Sequence, residues 1–435
     1  MSSNLSGTRE SAQQAREASF TLAASPSRLR SDALAAIADA LEARREAIFA
    51  ANAQDIDQAQ REGMAPAALK RLRFDEHKLA DVCAGLRALA AMDDPIGREQ
   101  LRTELADGLT LSRVACPMGV VGVIFESRPD ALVQIAGLCL KSGNAVLLKG
   151  GREAMRSNAA LFDALRSASE DAGVPRGWAA LLTTREEVGE LLALDEYVDL
   201  IIPRGSNAFV RHIMENSRIP VLGHSDGVCH VYLDEGCDIG MACRVAVDAK
   251  TQYPAACNAA ETLLVSSREL SRSLPAVAAA LIRAGVRLKG DALVQAALGA
   301  DIACERATEE DWHTEYLADV ISIRAVDSLE EAIAHINRYG SHHTDAIVTN
   351  SEEHADRFVK RVDSAGVYVN CSTRFADGYR YGFGAEVGIA TGKLHARGPM
   401  GLEGLCSYKY ILRGHGDTVA DFAHGKRAFT HKKLL

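Results

Sequence analysis

The chain lacks the features that mark several classes of protein. None of its ten cysteines forms a Cys-x-x-Cys pair, which argues against a zinc ribbon and a dithiol redox motif. No run of 18 apolar residues occurs, and residues 1–17 contain no apolar signal core. The net charge of −9 leaves no broad basic excess to neutralise nucleic-acid phosphates. We therefore expect a reduced, cytoplasmic enzyme or binding protein that binds neither nucleic acid nor membranes.

The usual dinucleotide-binding fingerprint, Gly-x-Gly-x-x-Gly, is absent as well. Two other loops could bind phosphate: Lys149-Gly150-Gly151-Arg152 and Pro203-Arg204-Gly205-Ser206-Asn207. Each follows an apolar strand, where open parallel sheets bind ligands, and the second also opens a helix with free N–H groups. Glycine in such loops can equally serve turn geometry alone.

The first hundred residues are predicted to be helical, and a hairpin is predicted to follow them. Leu34, Ile37, Leu41 and Ile48 recur at helical spacing after a Ser-Pro break. Residues 104–116 then alternate about the turn pair Asp107-Gly108, as a β-hairpin does. The length of 435 residues is too great for one compact core and indicates two or three domains.

From Gly119 onward, apolar strands alternate with helices in two series, the second of which begins at His230. The predicted strands are 119–125, 145–148, 200–202, 230–233, 262–265, 320–323, 346–348 and 367–369. The predicted helices are 129–141, 153–172, 206–214, 274–283 and 329–338. Continuous apolar strands between such helices indicate parallel βαβ units covered on both faces. A last strand is predicted within 402–413, before a basic tail that we expect to be solvated.

The cysteine at position 257 lies among small residues, in Tyr253-Pro-Ala-Ala-Cys257-Asn-Ala-Ala-Glu261. Small neighbours would allow a substrate and two backbone N–H groups to approach a nucleophilic thiol. The alternative is that Cys257 is a small buried apolar residue, as free cysteines commonly are.

The order and spacing of several segments resemble the aldehyde dehydrogenase superfamily: Gly119-Val-Val-Gly-Val-Ile, Lys149, Gly205-Ser206, Cys257, Glu315 and Asn370. Finer motifs resemble its glutamate-5-semialdehyde dehydrogenase family: Phe125-Glu-Ser-Arg-Pro-Asp130, Gly223-His-Ser-Asp-Gly227 and residues 326–347. The resemblance covers nearly the whole chain. It implies an α/β fold of two parallel α/β domains, with a helical N-terminal segment and a β-hairpin oligomerisation arm.

The resemblance also implies domain limits. Residues 1–102 and 118–228 would bind NADPH, and residues 229–400 would form the catalytic domain that carries the thiol. Residues 103–117 and 401–415 would be the oligomerisation hairpin and strand, and residues 416–435 a tail. Exposed strand edges in that arm would require a second subunit, so we expect a homo-oligomer, a dimer or a tetramer.

The implied activity is the NADPH-dependent reduction of L-glutamyl 5-phosphate to L-glutamate 5-semialdehyde and phosphate, the second step of proline biosynthesis. Cys257 would be the nucleophile that forms a thioester. For the cofactor, the resemblance implies that Lys149 binds the adenosine ribose, Gly205-Ser206 the pyrophosphate and Glu315 the nicotinamide ribose. Arg152 replaces a ribose-binding glutamate of NAD-preferring relatives, which should favour the 2′-phosphate of NADPH.

Departures from the superfamily pattern narrow the reaction. No water-activating glutamate lies near residues 222–224, so a thioester would survive to meet hydride. Arg128 stands where relatives have an asparagine. Arg128 and Arg374 are candidates for binding the substrate's anionic groups, with a structural ion pair as the alternative for each, and Asn370 is a further candidate substrate contact.

No metal site is expected from the histidines. His335, His342 and His343 lie close together in sequence, but no acidic or thiol partner lies at ligand spacing. Helix packing and loop hydrogen bonds are the expected roles of these three side chains.

Other possibilities remain open at the level of sequence. A related dehydrogenase that uses coenzyme A as acyl acceptor would share the thiol and hydride steps. An inactive member could serve as a scaffold, although the retained Cys257, Lys149 and Glu315 argue against that. Also open are docking of the upstream glutamate 5-kinase and the identity of the group that helps to ionise Cys257.

Overall fold

A computed structural model describes residues 7–184, 186–224, 226–383 and 386–435, apart from the side chain of residue 67. The described residues form two compact units. The first unit contains residues up to 222 together with 383, 386–388 and 400–435, and the second contains residues from 223 to 382 together with 389–399. In these parts of the chain, no helix combines the length and the apolar character needed to cross a membrane.

The first unit begins with helices: α1 (Gly7–Ala23), α2 (Ser27–Ala43), α3 (Arg45–Arg61), α4 (Pro66–Leu72) and α5 (Glu76–Ala91). The predicted apolar face is confirmed, because Leu34, Ile37 and Leu41 of α2 are buried. Ile48 is also buried but belongs to α3, since the helical path is interrupted at Arg44. The helix α2 packs against α5.

The predicted hairpin follows as β1 (Glu99–Ala106) and β2 (Leu109–Pro117). Gly108 in the turn has a φ of 75°, a conformation that glycine adopts without steric cost. The first strand begins at Glu99, earlier than the predicted 104. Its less exposed positions include the polar Glu99 and Thr103, so the sequence there does not alternate between apolar and polar residues.

A parallel sheet and its helices complete the α/β part of this unit: β3 (Val120–Phe125), α6 (Pro129–Lys141), β4 (Ala145–Lys149), α7 (Met155–Asp171), β5 (Ala179–Leu182), α8 (Glu186–Leu191), β6 (Leu200–Arg204) and α9 (Asn207–Asn216). The strand order is β5-β4-β3-β6, and every neighbouring pair is parallel. The chain adds β4 and β5 on one side of β3 and then β6 on the other. The carboxyl ends of β3 and β6 therefore flank a topological switch point, where open α/β sheets bind ligands.

The second unit is a larger parallel α/β arrangement: β7 (Cys229–Leu233), α10 (Ile239–Thr251), β8 (Ala260–Ser266), α11 (Leu274–Arg283), β9 (Arg287–Gly290), α12 (Ala292–Leu298), β10 (Glu305–Arg306), β11 (Val320–Val326), α13 (Leu329–Tyr339), β12 (Thr344–Val348), α14 (Glu352–Arg361) and β13 (Gly366–Val369). The strand order is β10-β9-β11-β8-β7-β12-β13. Val231 and Leu263 pack into one apolar cluster, whereas Tyr232 and Leu264 pack into another. This alternation covers both faces of the sheet, as predicted from the apolar strands.

The remaining strands and helix are β14 (Gly388–Ala390), β15 (Gly398–Met400), β16 (Cys406–Arg413), α15 (Val419–Ala423) and β17 (Lys432–Lys433). Within the first unit, β16 pairs antiparallel with β2, and β17 pairs antiparallel with β1. The end of the chain is largely exposed, but it is hydrogen-bonded to the hairpin through β17.

Candidate active site

Cys257 lies in a turn between α10 and β8, three residues before the strand begins. Short backbone bonds shape the turn: the Ala256 N–H donates to the Tyr253 carbonyl at 3.2 Å, and the Ala259 N–H donates to the Ala256 carbonyl at 2.9 Å. Cys257 is partly exposed, unlike the buried Cys229 of β7. Among the described residues, the Cys257 N–H has no acceptor. The turn therefore presents a partly exposed cysteine and a backbone N–H group that has no acceptor within the described residues.

Gly227 packs directly on this turn. A Cβ at position 227 would lie 2.5 Å from the Cys257 Cα, 2.2 Å from the Cys257 carbonyl oxygen and 2.6 Å from Glu315 Oε1. Only a glycine permits such a close approach of one backbone to another. The structure thus brings two predicted site residues, Cys257 and Glu315, to the same glycine, which is the last residue of the Gly223–Gly227 motif.

Asn258 anchors the turn that carries Cys257 and was not identified from the sequence. Its Nδ2 donates to the Ala376 carbonyl at 2.7 Å, and its own carbonyl accepts from Thr373 Oγ1 at 2.7 Å. Asn258 is buried. These bonds fix the turn of residues 373–375, which carries Arg374, beside the turn of Cys257. The sequence signal that could have identified Asn258 is that it is a polar residue among the small apolar neighbours of Cys257.

Arg374 is largely buried, and its Nε donates to Gln252 Oε1 at 2.9 Å. Within the described ranges it has no carboxylate at ion-pair distance, so the structural ion pair considered for this residue is not found there. Burial and the neighbouring Arg380 lower the pKa of Arg374, whereas the charge of Cys257 opposes that shift. The guanidinium therefore lies within electrostatic reach of the thiol and is free to bind an anion.

Two histidines approach the thiol. One ring nitrogen from each of His224 and His343 and the Sγ of Cys257 all lie within 4.8 Å of one another. The expectation that His343 lacks a thiol partner is wrong, because the fold joins residues that are distant in sequence. His335 and His342 have the expected packing and loop roles: His335 packs against Tyr339, and the Nδ1–H of His342 donates to a backbone carbonyl at 2.6 Å.

The side chain of Asn370 is engaged with the backbone. Its Oδ1 accepts from the Thr349 N–H at 2.9 Å, and its Nδ2 donates to the Thr349 carbonyl at 3.0 Å. Its φ is 58°, a left-handed conformation that asparagine adopts more readily than most residues. Asn370 thus holds the loops after β12 and β13 together, and its predicted contact with substrate stays a prediction.

In the first unit, the predicted cofactor residues lie at one edge of the four-stranded sheet. Lys149 is the last residue of β4 and pairs with Ile124, whereas Arg204 at the end of β6 pairs with Phe125. Parallel strands place their carboxyl ends together, so the loops that follow β3, β4 and β6 are neighbours. Lys149 is largely buried there.

The start of α9 is arranged to hold a negative charge. The Ser206 N–H donates to Glu126 Oε2 at 3.2 Å, and a Cβ on Gly205 would lie 2.6 Å from the same oxygen. A helix N-terminus favours anions through its free N–H groups and its dipole. Gly150 also permits close packing, because a Cβ there would lie 2.1 Å from Asn158 Nδ2.

Two arginines of the same unit are solvent-exposed. The Arg152 side chain is 86% exposed, with Nη2 at 3.6 Å from Glu62 Oε2. Such a surface pair contributes about 0–1 kcal/mol and leaves the guanidinium free to move to a ligand. Arg128 precedes α6, is exposed and has no ion-pair partner among the described residues. The structural ion pair considered for Arg128 is therefore not found in this part of the chain.

Comparisons with known proteins agree with this geometry. The model of the aldehyde dehydrogenase family matches residues 3–309 and 305–410. A gamma-glutamyl phosphate reductase of Acetivibrio thermocellus is 54% identical over 425 residues, which cover 98% of each chain. The crystal structure of the gamma-glutamyl phosphate reductase of Thermotoga maritima has a TM-score of 0.92 at 38% identity and covers 94% of this chain and 99% of that one.

More distant structures share the fold alone. A glyceraldehyde-3-phosphate dehydrogenase of Methanocaldococcus jannaschii, complexed with NADP, has a TM-score of 0.65 at 17% identity and covers 94% of each chain. The predicted aldehyde dehydrogenase-like α/β fold is confirmed, as is the class of enzyme, an oxidoreductase acting on an aldehyde or acyl phosphate. The chain belongs to the gamma-glutamyl phosphate reductases of the aldehyde dehydrogenase family.

Proposed function

We propose that this enzyme reduces L-glutamyl 5-phosphate to L-glutamate 5-semialdehyde and phosphate, with NADPH as the reductant. The observation that carries the proposal is the partly exposed Cys257 in a turn with a free N–H group and with Arg374 nearby. Relatives that are more than half identical over nearly the whole chain are named for this reaction. The reaction would be the second step of proline biosynthesis.

The chemistry of the protein centres on one sulfur. The Cys257 thiolate attacks the γ-carbonyl carbon of the acyl phosphate, and phosphate leaves as the thioester forms. The Cys257 N–H can donate to the oxygen that becomes negative at each addition step. A preorganised donor of this kind contributes about 3 kcal/mol to stabilising the transition state. Once hydride has added to the thioester carbon, the carbon–sulfur bond breaks, its electron pair returns to sulfur, and the aldehyde is released.

Arg374 is the candidate clamp for an anionic group of the substrate. Its Nε donates a hydrogen bond to Gln252, and the remaining nitrogens of the guanidinium have no carboxylate partner within the described residues. A guanidinium so placed can bind a carboxylate or phosphate with two parallel bonds. Arg128 remains a second candidate through its exposed, unpaired guanidinium, and Asn370 supports the loops through its bonds to Thr349.

The cofactor would be held by the loops at the sheet edge of the first unit. The start of α9 offers backbone N–H groups to an anion, and a diphosphate bound there would take the place of the Glu126 carboxylate, which now accepts from the Ser206 N–H. Lys149 and Arg152 would contact the adenosine ribose and its 2′-phosphate, and Glu315 the nicotinamide ribose. When bound, the cofactor supplies the hydride that reduces the thioester.

The proposal is tested in the reverse direction with glutamate 5-semialdehyde. We expect NADP+ reduction that depends on inorganic phosphate and does not respond to coenzyme A. Cys257→Ser should lose nearly all turnover while binding NADPH as the unmodified enzyme does, and Cys371→Ser serves as a matched control that retains activity. Coenzyme A-dependent turnover, or substantial turnover by Cys257→Ser, would rule the proposal out.

Arg152 provides a separate test of cofactor choice. Replacing it with alanine should raise the KM for NADP+ and leave the KM for NAD+ nearly unchanged, because only NADP+ has the 2′-phosphate. An equal effect on both cofactors would remove Arg152 from the proposed site.

We further propose that the enzyme is a cytoplasmic homo-oligomer. All ten cysteines are free, which suits a reducing compartment. The edge strand β16 exposes Tyr408, Tyr410 and Leu412, which are 50–59% accessible. A second subunit would cover such an edge, and light scattering that shows a monomer at working concentration would contradict this.

A further inference from the structure

The proposed reaction requires Cys257 as a thiolate, so a neighbouring group must take the proton of its thiol. Two imidazoles lie close enough to be candidates for that base. A thiol is a weak nucleophile until its proton has been removed. His224 and His343 each have a ring nitrogen within 4.8 Å of the Cys257 Sγ. Contacts between a base and a nucleophile are often longer than a hydrogen bond before substrate binds and tighten in the complex.

The hydrogen bonding of His224 determines which of its nitrogens is basic. Its Nδ1 lies 2.9 Å from the backbone carbonyl of Ile389. A carbonyl oxygen only accepts hydrogen bonds, so Nδ1 carries the hydrogen. In the neutral ring, Nε2 then has the lone pair and is able to accept a proton.

His343 differs from His224 in its environment. It is almost fully buried, and its Nδ1 lies 2.9 Å from Thr344 Oγ1. Its Nε2 has no hydrogen-bond partner in the described part of the chain. Its ring lies edge-on to that of His224, with 4.8 Å between the centroids and an interplanar angle of 79°. A buried ring in this position fixes the orientation of the more accessible imidazole.

We propose that His224 is the base that removes the thiol proton of Cys257, and that His343 is a positioning residue that orients His224. This inference rests on the proposed thioester chemistry. The S–H bond breaks, its electron pair stays on sulfur, and the proton moves to His224 Nε2. The imidazolium gives that proton to the departing phosphate. The thiolate released with the aldehyde takes one proton from solvent, so each turnover consumes one proton.

Other ionisable groups act on the same thiol, and the test must separate them from His224. Arg374 favours the thiolate by its positive charge. Glu315 would oppose a second negative charge, because it lies against the same glycine as Cys257. Burial raises the pKa of the Cys229 thiol well above its ordinary value, so Cys229 stays neutral and adds no charge. Because these three groups stay in place when only the imidazole is removed, a change in thiol ionisation can be assigned to it.

The experiment measures alkylation of Cys257 by iodoacetamide as a function of pH, with the modified peptide quantified by mass spectrometry and with EDTA present to remove metal ions. The midpoint of the profile in the unmodified enzyme is the reference. His224→Gln should move the midpoint to higher pH, because the imidazole no longer takes the thiol proton, and His343→Gln should move it by less. His342→Asn is the matched control: asparagine tolerates the positive φ there and can donate to the same carbonyl, so the profile should not move.

The outcomes separate this inference from the proposed function, because alkylation needs neither substrate nor cofactor. Superimposed profiles for His224→Gln and the unmodified enzyme would overturn the role of His224 even if turnover is normal. A larger shift in His343→Gln than in His224→Gln would reverse the two assigned roles and so overturn the proposal. A shifted profile without turnover of glutamate 5-semialdehyde would leave the inference standing and remove the proposed substrate.

Discussion

Gly227→Ala tests how tightly the backbone positions Cys257. The added methyl group would lie 2.5 Å from the Cys257 Cα and 2.2 Å from its carbonyl oxygen. Ordinary contacts of a Cβ are about 3.4–4 Å. Because both clashing atoms belong to the backbone, no side-chain rotation can relieve the contact, and the turn must move by about 1 Å.

Such a movement has two measurable consequences. Overpacking at a buried position costs about 1–3 kcal/mol in the free energy of unfolding. A displacement of about 1 Å at a reacting group costs roughly 100-fold in rate. We therefore expect kcat/KM to fall by roughly 100-fold while the protein remains folded.

The assay is phosphate-dependent reduction of NADP+ with glutamate 5-semialdehyde, accompanied by urea unfolding. Gly392→Ala is the matched control in the same unit, because a Cβ at that position would meet nothing within 4 Å. It should leave both activity and stability unchanged. If Gly227→Ala retains kcat/KM within about threefold, the close backbone contact does not position Cys257 and the reasoning fails.

Three further predictions concern buried charges. Arg374→Gln should raise the KM of the anionic substrate by roughly 10- to 100-fold with a smaller change in kcat, because it removes charge-assisted hydrogen bonds; an unchanged KM would exclude the clamp. Lys250→Met should lower the free energy of unfolding by about 3–5 kcal/mol, because it leaves the buried Glu261 without its ion-pair partner. Burial raises the pKa of Glu261 to about 7. A Lys250→Met, Glu261→Met double variant should recover most of the lost stability, and failure to do so would show that lost packing causes the effect. Burial raises the pKa of the Asp311 carboxyl, but hydrogen bonds, foremost from Lys289, outweigh burial and lower this pKa below its ordinary value. The ionised carboxylate should therefore stabilise the folded protein above a pH of about 3.9, its pKa in the unfolded chain, and this stabilisation should be lost as the pH falls below that value. The melting temperature of Asp311→Asn should accordingly lie well below that of the unmodified enzyme at neutral pH and approach it in acid, and a difference that does not depend on pH would contradict the assignment.

Local patterns in the sequence were sufficient to predict most of the elements around the site. The helix Pro129–Lys141 has the predicted limits, because proline marks its first turn and a glycine soon follows its end. The buried strands were recognised as continuous apolar runs. The helix Ile239–Thr251 and the helix Glu352–Arg361 were missed; the second buries only Phe358 and so carries little apolar pattern.

The sequence alone determined the repeated strand–helix pattern, the hairpin and the candidate thiol, since each depends on neighbours along the chain. Only the tertiary structure decided what surrounds that thiol. His224, His343 and Arg374 come from separate loops and follow no periodicity. One ring nitrogen of each histidine lies within 4.8 Å of the Cys257 Sγ, and the hydrogen bonds of Asn258 hold the loop of Arg374 beside the Cys257 turn. Contacts of this kind depend on distances between segments far apart in the chain, for which a linear pattern carries no signal.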